Sequence, residues 1–191
     1  MASKIKVDQL ETADGTGTIA LQNQLSGLTT ASLPTITTDK LGTGAVLQVV
    51  NSNISSQVVV TSTSPTDIGL SATITPSSTS SKIIVIATAS LTVHNNSDTN
   101  GAIGWSITDS SNNIVIGSQG DSNPFDLGGY ISSNWYNING VQTKTIVHSP
   151  NTTSAFTYKM RGENGTATNA TFNFNGSYGA TSSIILMEIA G

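Results

Sequence analysis

Apolar and polar side chains alternate along several short segments of this chain. In SKIIVIATASLTV every second residue from Ile83 to Val93 is apolar, and the residues between them change from isoleucine to threonine and serine. DIGLSATIT and FTYKMR alternate in the same way. A period of two predicts β-strands with one face in a core. Further predicted strands are AVLQVV, SQVVVTS, AIGWSIT, NIVIG, TKTIVHS, ATFNFN and SIILMEIA.

Turn-forming clusters such as SPTD, TPSSTSS and GENG separate these strands, and no segment has the period of an amphipathic helix. Short strands in this number predict an all-β, antiparallel jelly-roll sandwich. A parallel β-helix would need a repeat of fixed period, which the chain lacks. Residues 25–44 mix Gly, Pro and Thr as an extended linker does. We therefore predict an extended N-terminal arm and linker over residues 1–44 and the sandwich over residues 45–191.

Two predicted strands, KIIVI and IILMEI, are apolar on both faces. In a two-layer sandwich the outer face of a sheet normally meets water. A second apolar face therefore favours contact with another subunit. The alternative is that a long loop of the same chain covers these residues.

The composition narrows the choice of partners. Charged residues make up 9% of the chain, the net charge is −4, and there are no cysteines. Since the cations are scattered, we expect no nucleic-acid partner. No apolar stretch approaches the length of a membrane span, so we expect no membrane insertion. The first ten residues carry no apolar signal-peptide core, so synthesis in a cytoplasm without Sec export is expected.

Candidate catalytic groups are few and poorly spaced. His94 and His148 lie near predicted strand ends, outside any spaced metal motif. Asp121 with Asp126, or Glu163, could supply paired carboxylates for glycan hydrolysis, but they flank turn residues where acids usually bond to the backbone. We predict that the chain is not an enzyme, and we predict no cofactor and no metal site.

The stretch from Gln119 to Gly140 concentrates aromatic rings among Gly, Ser, Asn and Asp. Rigid amphipathic rings beside small polar groups are typical of binding surfaces, including those that bind sugars. The alternative is that the rings plug the end of the sandwich or a subunit interface. The predicted ligand-binding residues are Phe125, Asp126, Tyr130, Asn134, Trp135 and Tyr136.

The segment TADGTGTIALQNQL, residues 12–25, has a turn-forming DGTG sequence but too few apolar side chains to fold alone. DGTG lacks the Lys-Ser/Thr of a phosphate-binding loop and the alternating acids of an EF-hand, so it is interpreted as a tight turn. The segment is therefore expected to fold against something outside its own domain. Copies of the same arm and a different protein are the two candidates.

The arm belongs to SKIKVDQLETADGTGTIALQNQLSGL, which resembles the N-termini of tail-fibre and other virion structural proteins of marine phages, especially those of cyanobacteria. In that group V-D-x-L-x-T-x-D-G-T-G precedes a variable distal domain. ITTDKLGTGAVLQVVN is similar to the start of such a domain, and GLSATITPSSTSSKIIVIATASL resembles their L-S-x-x-I-T-P…S-K-I sequence. SSIILMEIAG resembles their closing strand.

The resemblance implies a homotrimer whose jelly roll is similar to the tumour-necrosis-factor fold. It also implies that the N-terminal segment anchors the protein to other virion proteins. The anchoring residues that it implies are Leu10, Asp14, Gly15, Gly17, Ile19 and Leu21. Unlike a long fibre, the chain has no coiled-coil heptads between arm and head.

We therefore expect a virion structural protein, a short trimeric tail fibre that attaches to a host-surface molecule, for which glycan is a candidate. The alternative is a capsid decoration or cement protein without a receptor role. A short polysaccharide depolymerase is the rival enzyme hypothesis, which release of reducing ends from host capsule would test.

Overall fold

A computed structural model describes residues 41–95, 100–117, 127–130, 136–165, 169–172 and 180–191. All regular elements in these ranges are β-strands, so none of them is a helix that could cross a membrane. The strands are β1 (Val46–Ile54), β2 (Val58–Val60), β3 (Thr66–Ile74), β4 (Lys82–Asn95), β5 (Asn100–Thr108), β6 (Ile114–Ile116), β7 (Leu127–Tyr130), β8 (Tyr136–His148), β9 (Phe156–Asn164), β10 (Asn169–Phe172) and β11 (Ser182–Ile189).

These strands form two antiparallel sheets. Sheet I contains β1, β2, β4, β8, β10 and β11, and sheet II contains β3, β5, β6, β7 and β9. The first strand pairs with the last, β3 with β9, β4 with β8, and β5 with both β6 and β7. This nested pairing, in which the chain crosses repeatedly between the two sheets, is the topology of a jelly roll. The predicted fold class is therefore confirmed.

The core lies between the two sheets because alternate residues of each strand face inward. In β3, Ile68, Leu70, Ala72 and Ile74 are buried, and the residues between them are exposed. β11 alternates buried and half-buried residues along its whole length. The largest buried apolar side chains are Trp105, Tyr158, Phe172, Ile74, Ile83, Leu91, Ile103, Ile107, Met160, Ile184 and Leu186.

Each segment predicted to be a strand contains one, but the sequence does not predict β7 or the first part of β8. Residues 127–130 pair with β5, and residues 136–140 pair with β4. These two parts of the stretch from Gln119 to Gly140 are therefore strands, although no alternation in the sequence predicts them. Gly and Asn have low strand propensity, but pairing with a long neighbouring strand overrides it.

The two ends of the sandwich differ in what they hold. The described chain starts at Leu41, and Gly44 donates a backbone hydrogen bond of 2.8 Å to Ala190, just after β11. We call this the proximal end. At the other end, which we call distal, β4 ends and β8 begins, with Asn95 paired to Tyr136. Residues 1–40, which hold all the predicted anchoring residues, lie outside the described residues.

Candidate interaction surfaces

The outer face of sheet I carries a row of apolar side chains that crosses four strands. Val49 on β1 pairs with Met187 on β11, Met187 with Ile84 on β4, and Ile84 with Val147 on β8. Their neighbours along β4 and β11, such as Ile83, face the core and are buried, and those along β1 and β8 are half-buried. In the adjacent row, Ile185 pairs with Ile86. We call these six residues, namely Val49, Ile84, Ile86, Val147, Ile185 and Met187, the apolar strip.

The apolar strip is open to solvent in the single chain. Val49 and Val147 are each 58% exposed, and the other four members are half-buried. The segments KIIVI and IILMEI are thus apolar on both faces, and their outward isoleucines are only partly covered in one chain. No member of the strip is charged. A contiguous apolar surface of this kind marks an interaction site more often than a free surface.

Toward the distal end, the outer face of sheet I becomes polar. Asn53, Ser183, Thr88 and Thr143 form the next complete row. The hydroxyls of Thr88 and Thr143 lie 3.1 Å apart across the strands. The outer face thus carries the apolar strip in its proximal half, bordered by Asn51, Thr145 and Lys82, and is rich in hydroxyl groups in its distal half.

A groove of about 510 Å³ opens in this distal half. It forms where β11 stops pairing with β4 at Thr88 and β10 starts at Leu91. In the gap, the Ser90 amide donates a hydrogen bond of 3.1 Å to the hydroxyl of Ser182. The residues that line this distal groove are Ser90, Leu91, Thr92, Asn139, Gly140, Val141 and Ala180.

The outer face of sheet II has the opposite chemistry. Asp67 on β3 makes ion pairs of 3.0 Å with Lys159 and with Arg161 on β9. The Lys159 ammonium also donates a 2.8 Å hydrogen bond to the Asn112 side chain. These groups partner one another in the single chain, as expected of a solvated surface.

One carboxylate is enclosed at the proximal end. Glu188 faces inward from β11 and is fully buried. It accepts hydrogen bonds from the Gln48 side chain at 2.5 Å and from the amide and hydroxyl of Ser77, each at 2.7 Å. Burial raises the pKa of Glu188, but the bonds from Gln48, Ser77 and Ser81 outweigh it and hold the pKa below its ordinary value. The group therefore acts as a charged structural tie.

His148 also faces inward at the proximal end. Its Nδ1 lies 2.8 Å from the Tyr158 hydroxyl, and its ring centroid is 5.3 Å from that of Phe156. Burial lowers the pKa of His148, and the Asp109 carboxylate opposes this. Burial also raises the pKa of Tyr158, so that its hydroxyl keeps its proton and can donate to a neutral imidazole. This histidine is part of the packing.

Lys144 occupies the opening between the two sheets. It points inward from β8, and its ammonium donates a 2.6 Å hydrogen bond to the Trp105 carbonyl while lying 4.6 Å from the centre of the Trp105 ring. An inward-pointing charge on an edge strand discourages pairing with another sheet edge. Side-by-side pairing of β8 strands is thus a poor route to association.

The predicted ligand-binding residues are only partly in view. Phe125, Asp126, Asn134 and Trp135 lie outside the described residues. The backbone of Tyr130 ends β7 opposite Asn100, and that of Tyr136 begins β8 opposite Asn95. The backbones of both tyrosines therefore lie at the distal end, and their side chains are outside the described part of the chain.

Of the candidate catalytic carboxylates, Glu163 alone falls within the described residues. Glu163 lies in β9 beside Gly104 and is 3% exposed. Asp121, like Asp126, falls outside the description. Among the described residues, no three of the types His, Cys, Asp and Glu are grouped to hold a metal ion. The backbone of His94 lies in β4 opposite Asn137.

Comparisons with known proteins gave no relative: no protein-family model matches the chain, and neither does a curated protein.

Proposed function

We propose that this chain is a non-enzymatic structural protein of a virion, a short homotrimeric tail fibre that attaches to the host surface. The observation that carries the proposal is the apolar strip, a neutral surface on the outside of a jelly roll. The sequence resemblance described above is the basis for proposing three copies and a place in a virion. The strip supplies a surface that a partner copy would cover.

The chemistry of the strip favours a second copy over a charged partner. Its side chains are Val, Ile and Met, and covering such residues in an assembly contributes about 25 cal/mol per Å² of apolar surface. Because burial of a charge is costly, a surface without charges can be enclosed without that penalty. The charged outer face of sheet II would stay in water.

The division of the molecule into ends supports attachment at the distal end. The described chain begins at the proximal end, where Gly44 bonds to Ala190. The backbones of Tyr130 in β7 and Tyr136 in β8 lie at the distal end. In this arrangement the arm meets the virion, the strip holds the copies together, and the distal loops meet the host.

Immunogold electron microscopy of virions, with an antibody against residues 45–191, tests the location. Label at the tail is the expected result. Label spread over the head would contradict host attachment and favour capsid decoration. Absence of label from all particles would refute both hypotheses.

Deletion of residues 1–25 tests the arm. The shortened chain should keep its circular dichroism, and it should keep the same number of copies in solution because the strip is intact. It should be lost from particles. Incorporation of the shortened chain into virions would contradict the anchoring role of the arm.

A further inference from the structure

We propose that the distal groove is a binding subsite for a neutral saccharide. The inference rests on the proposed function, because it names the ligand class that a host-attachment protein would hold there. It assigns this role to Ser90, Thr92, Asn139 and Val141, none of which the sequence pattern distinguishes.

The polar groups in the groove match those of a sugar. Thr92 donates a 2.6 Å hydrogen bond to the amide oxygen of Asn139. The amide NH₂ of this exposed side chain is then the donor that a ligand would meet. The hydroxyl of Ser90 can donate and accept, whereas that of Thr92, whose proton is directed at Asn139, can only accept. A sugar hydroxyl needs both kinds of partner.

Val141 provides the apolar contact. It is 69% exposed, the highest value among the large apolar residues of the described chain, and it lies opposite Ser90. Ala180 adds a second small apolar group, and the buried Leu91 lies at the floor. An apolar wall with a few convergent polar groups is the usual composition of a small-molecule site, and about 510 Å³ is within the usual range of volumes.

The absence of charge and the position on the sheet select this ligand class. None of the seven described lining residues is charged, so an anionic sugar or a phosphate would find no counter-ion among them. A peptide that binds by adding a strand needs a sheet edge. The groove instead lies on a sheet face, above the central strand β4.

The test is saturation-transfer NMR of the full chain with glucose, galactose and mannose, and with glucuronate as the anionic control. We expect transfer to at least one neutral sugar and none to glucuronate. Val141→Thr, which keeps the shape of an exposed residue, and Asn139→Ala should each weaken binding roughly fivefold or more. Ile114→Thr is the matched control, because Ile114 is 50% exposed on sheet II at the proximal end, and it should change nothing.

The outcomes separate this inference from the proposed function. The inference is overturned if no neutral sugar shows transfer, or if Val141→Thr and Asn139→Ala both bind as tightly as the unchanged protein. In either case the proposed function would stand if the protein is found as a trimer on virions. Dissociation of the trimer by Val141→Thr would also overturn it, because the groove would then belong to the contact between copies. Sugar binding by a monomer absent from virions would support the subsite and refute the proposed function.

Discussion

The outer faces of sheets I and II follow the same alternation of inward and outward residues, but their outward side chains differ in chemistry. On sheet II the outward groups satisfy one another, as Asp67 does with Lys159 and Arg161. In the apolar strip of sheet I the outward groups are isoleucine, valine and methionine, which gain nothing from water, and Lys82, Asn51 and Thr145 lie at its border. The comparison teaches that alternation identifies the core, whereas the chemistry of the other face indicates what the sheet meets.

The largest expected effect is that of a charge in the apolar strip. Val147→Asp would place a carboxylate where the proposed partner copy excludes water, at a cost of several kcal/mol. Light scattering should then report the mass of a single chain. Because Val147 is exposed in the single chain, the fold should persist in circular dichroism.

The matched control for that change is Thr157→Asp on the outer face of sheet II, which should leave the mass unchanged. If both variants dissociate, the two faces do not differ as we describe. If neither does, the strip is not the contact.

The next largest effect concerns the contacts of Glu188, which tie sheet I to the β3–β4 connection at the proximal end. Glu188→Gln would turn an amide donor toward the donors of Gln48 and Ser77, and we expect a loss of about 1–3 kcal/mol in the free energy of unfolding, measured with urea. The pKa of Glu188 is lowered in the folded state, so its contribution is present above the ordinary glutamate pKa and is lost as pH falls through the folded value. Glu188→Gln should therefore flatten the acid side of the stability profile. An unchanged profile would contradict this role.

A smaller effect is expected from His148. Its pKa is lowered by burial, so the stabilisation is present above the ordinary histidine pKa of about 6.5 and is lost as pH falls through the folded value. The imidazolium would have two donors, and the bond with Tyr158 would have to reverse. Urea unfolding at pH values above and below this range should show a loss that His148→Phe removes. Equal pH dependence in the two proteins would exclude this histidine as the cause.

The smallest effect is expected on sheet II. Asp67→Asn removes two ion pairs, but Asp67 is 50% exposed, and surface pairs contribute about 0–1 kcal/mol. The free energy of unfolding should fall by no more than that, and the mass should not change. A change in mass would show that sheet II also contacts a partner.

The sequence predicts the strands well because the pattern of buried residues is local. The alternation in DIGLSATIT is the burial pattern of β3, and that in SIILMEIA is the pattern of β11. It predicts β8 poorly at its start, since Asn and Gly residues become a strand there only because β4 is long enough to pair with them.

The surfaces could be predicted only in part. The doubly apolar KIIVI and IILMEI segments indicate the strip, but register is needed to place Val49 and Val147 in the same row. The groove depends on a gap between β10 and β11 along β4, which arises from pairing and has no sequence signal. Glu188 is likewise an acid inside an apolar strand, and only its contacts with Gln48 and Ser77 explain it.

The most direct test of the central claim uses the absence of cysteine from the chain. Val147→Cys and Thr73→Cys would each introduce a single thiol at an exposed position, one in the apolar strip and one on the outer face of sheet II. The rate of reaction with a maleimide would then be measured for each. We predict slow labelling in the strip, which becomes fast when dilution or mild urea separates the copies, and fast labelling on sheet II throughout. Equal, fast labelling of both thiols in the native protein would contradict the claim that the strip is covered by another copy.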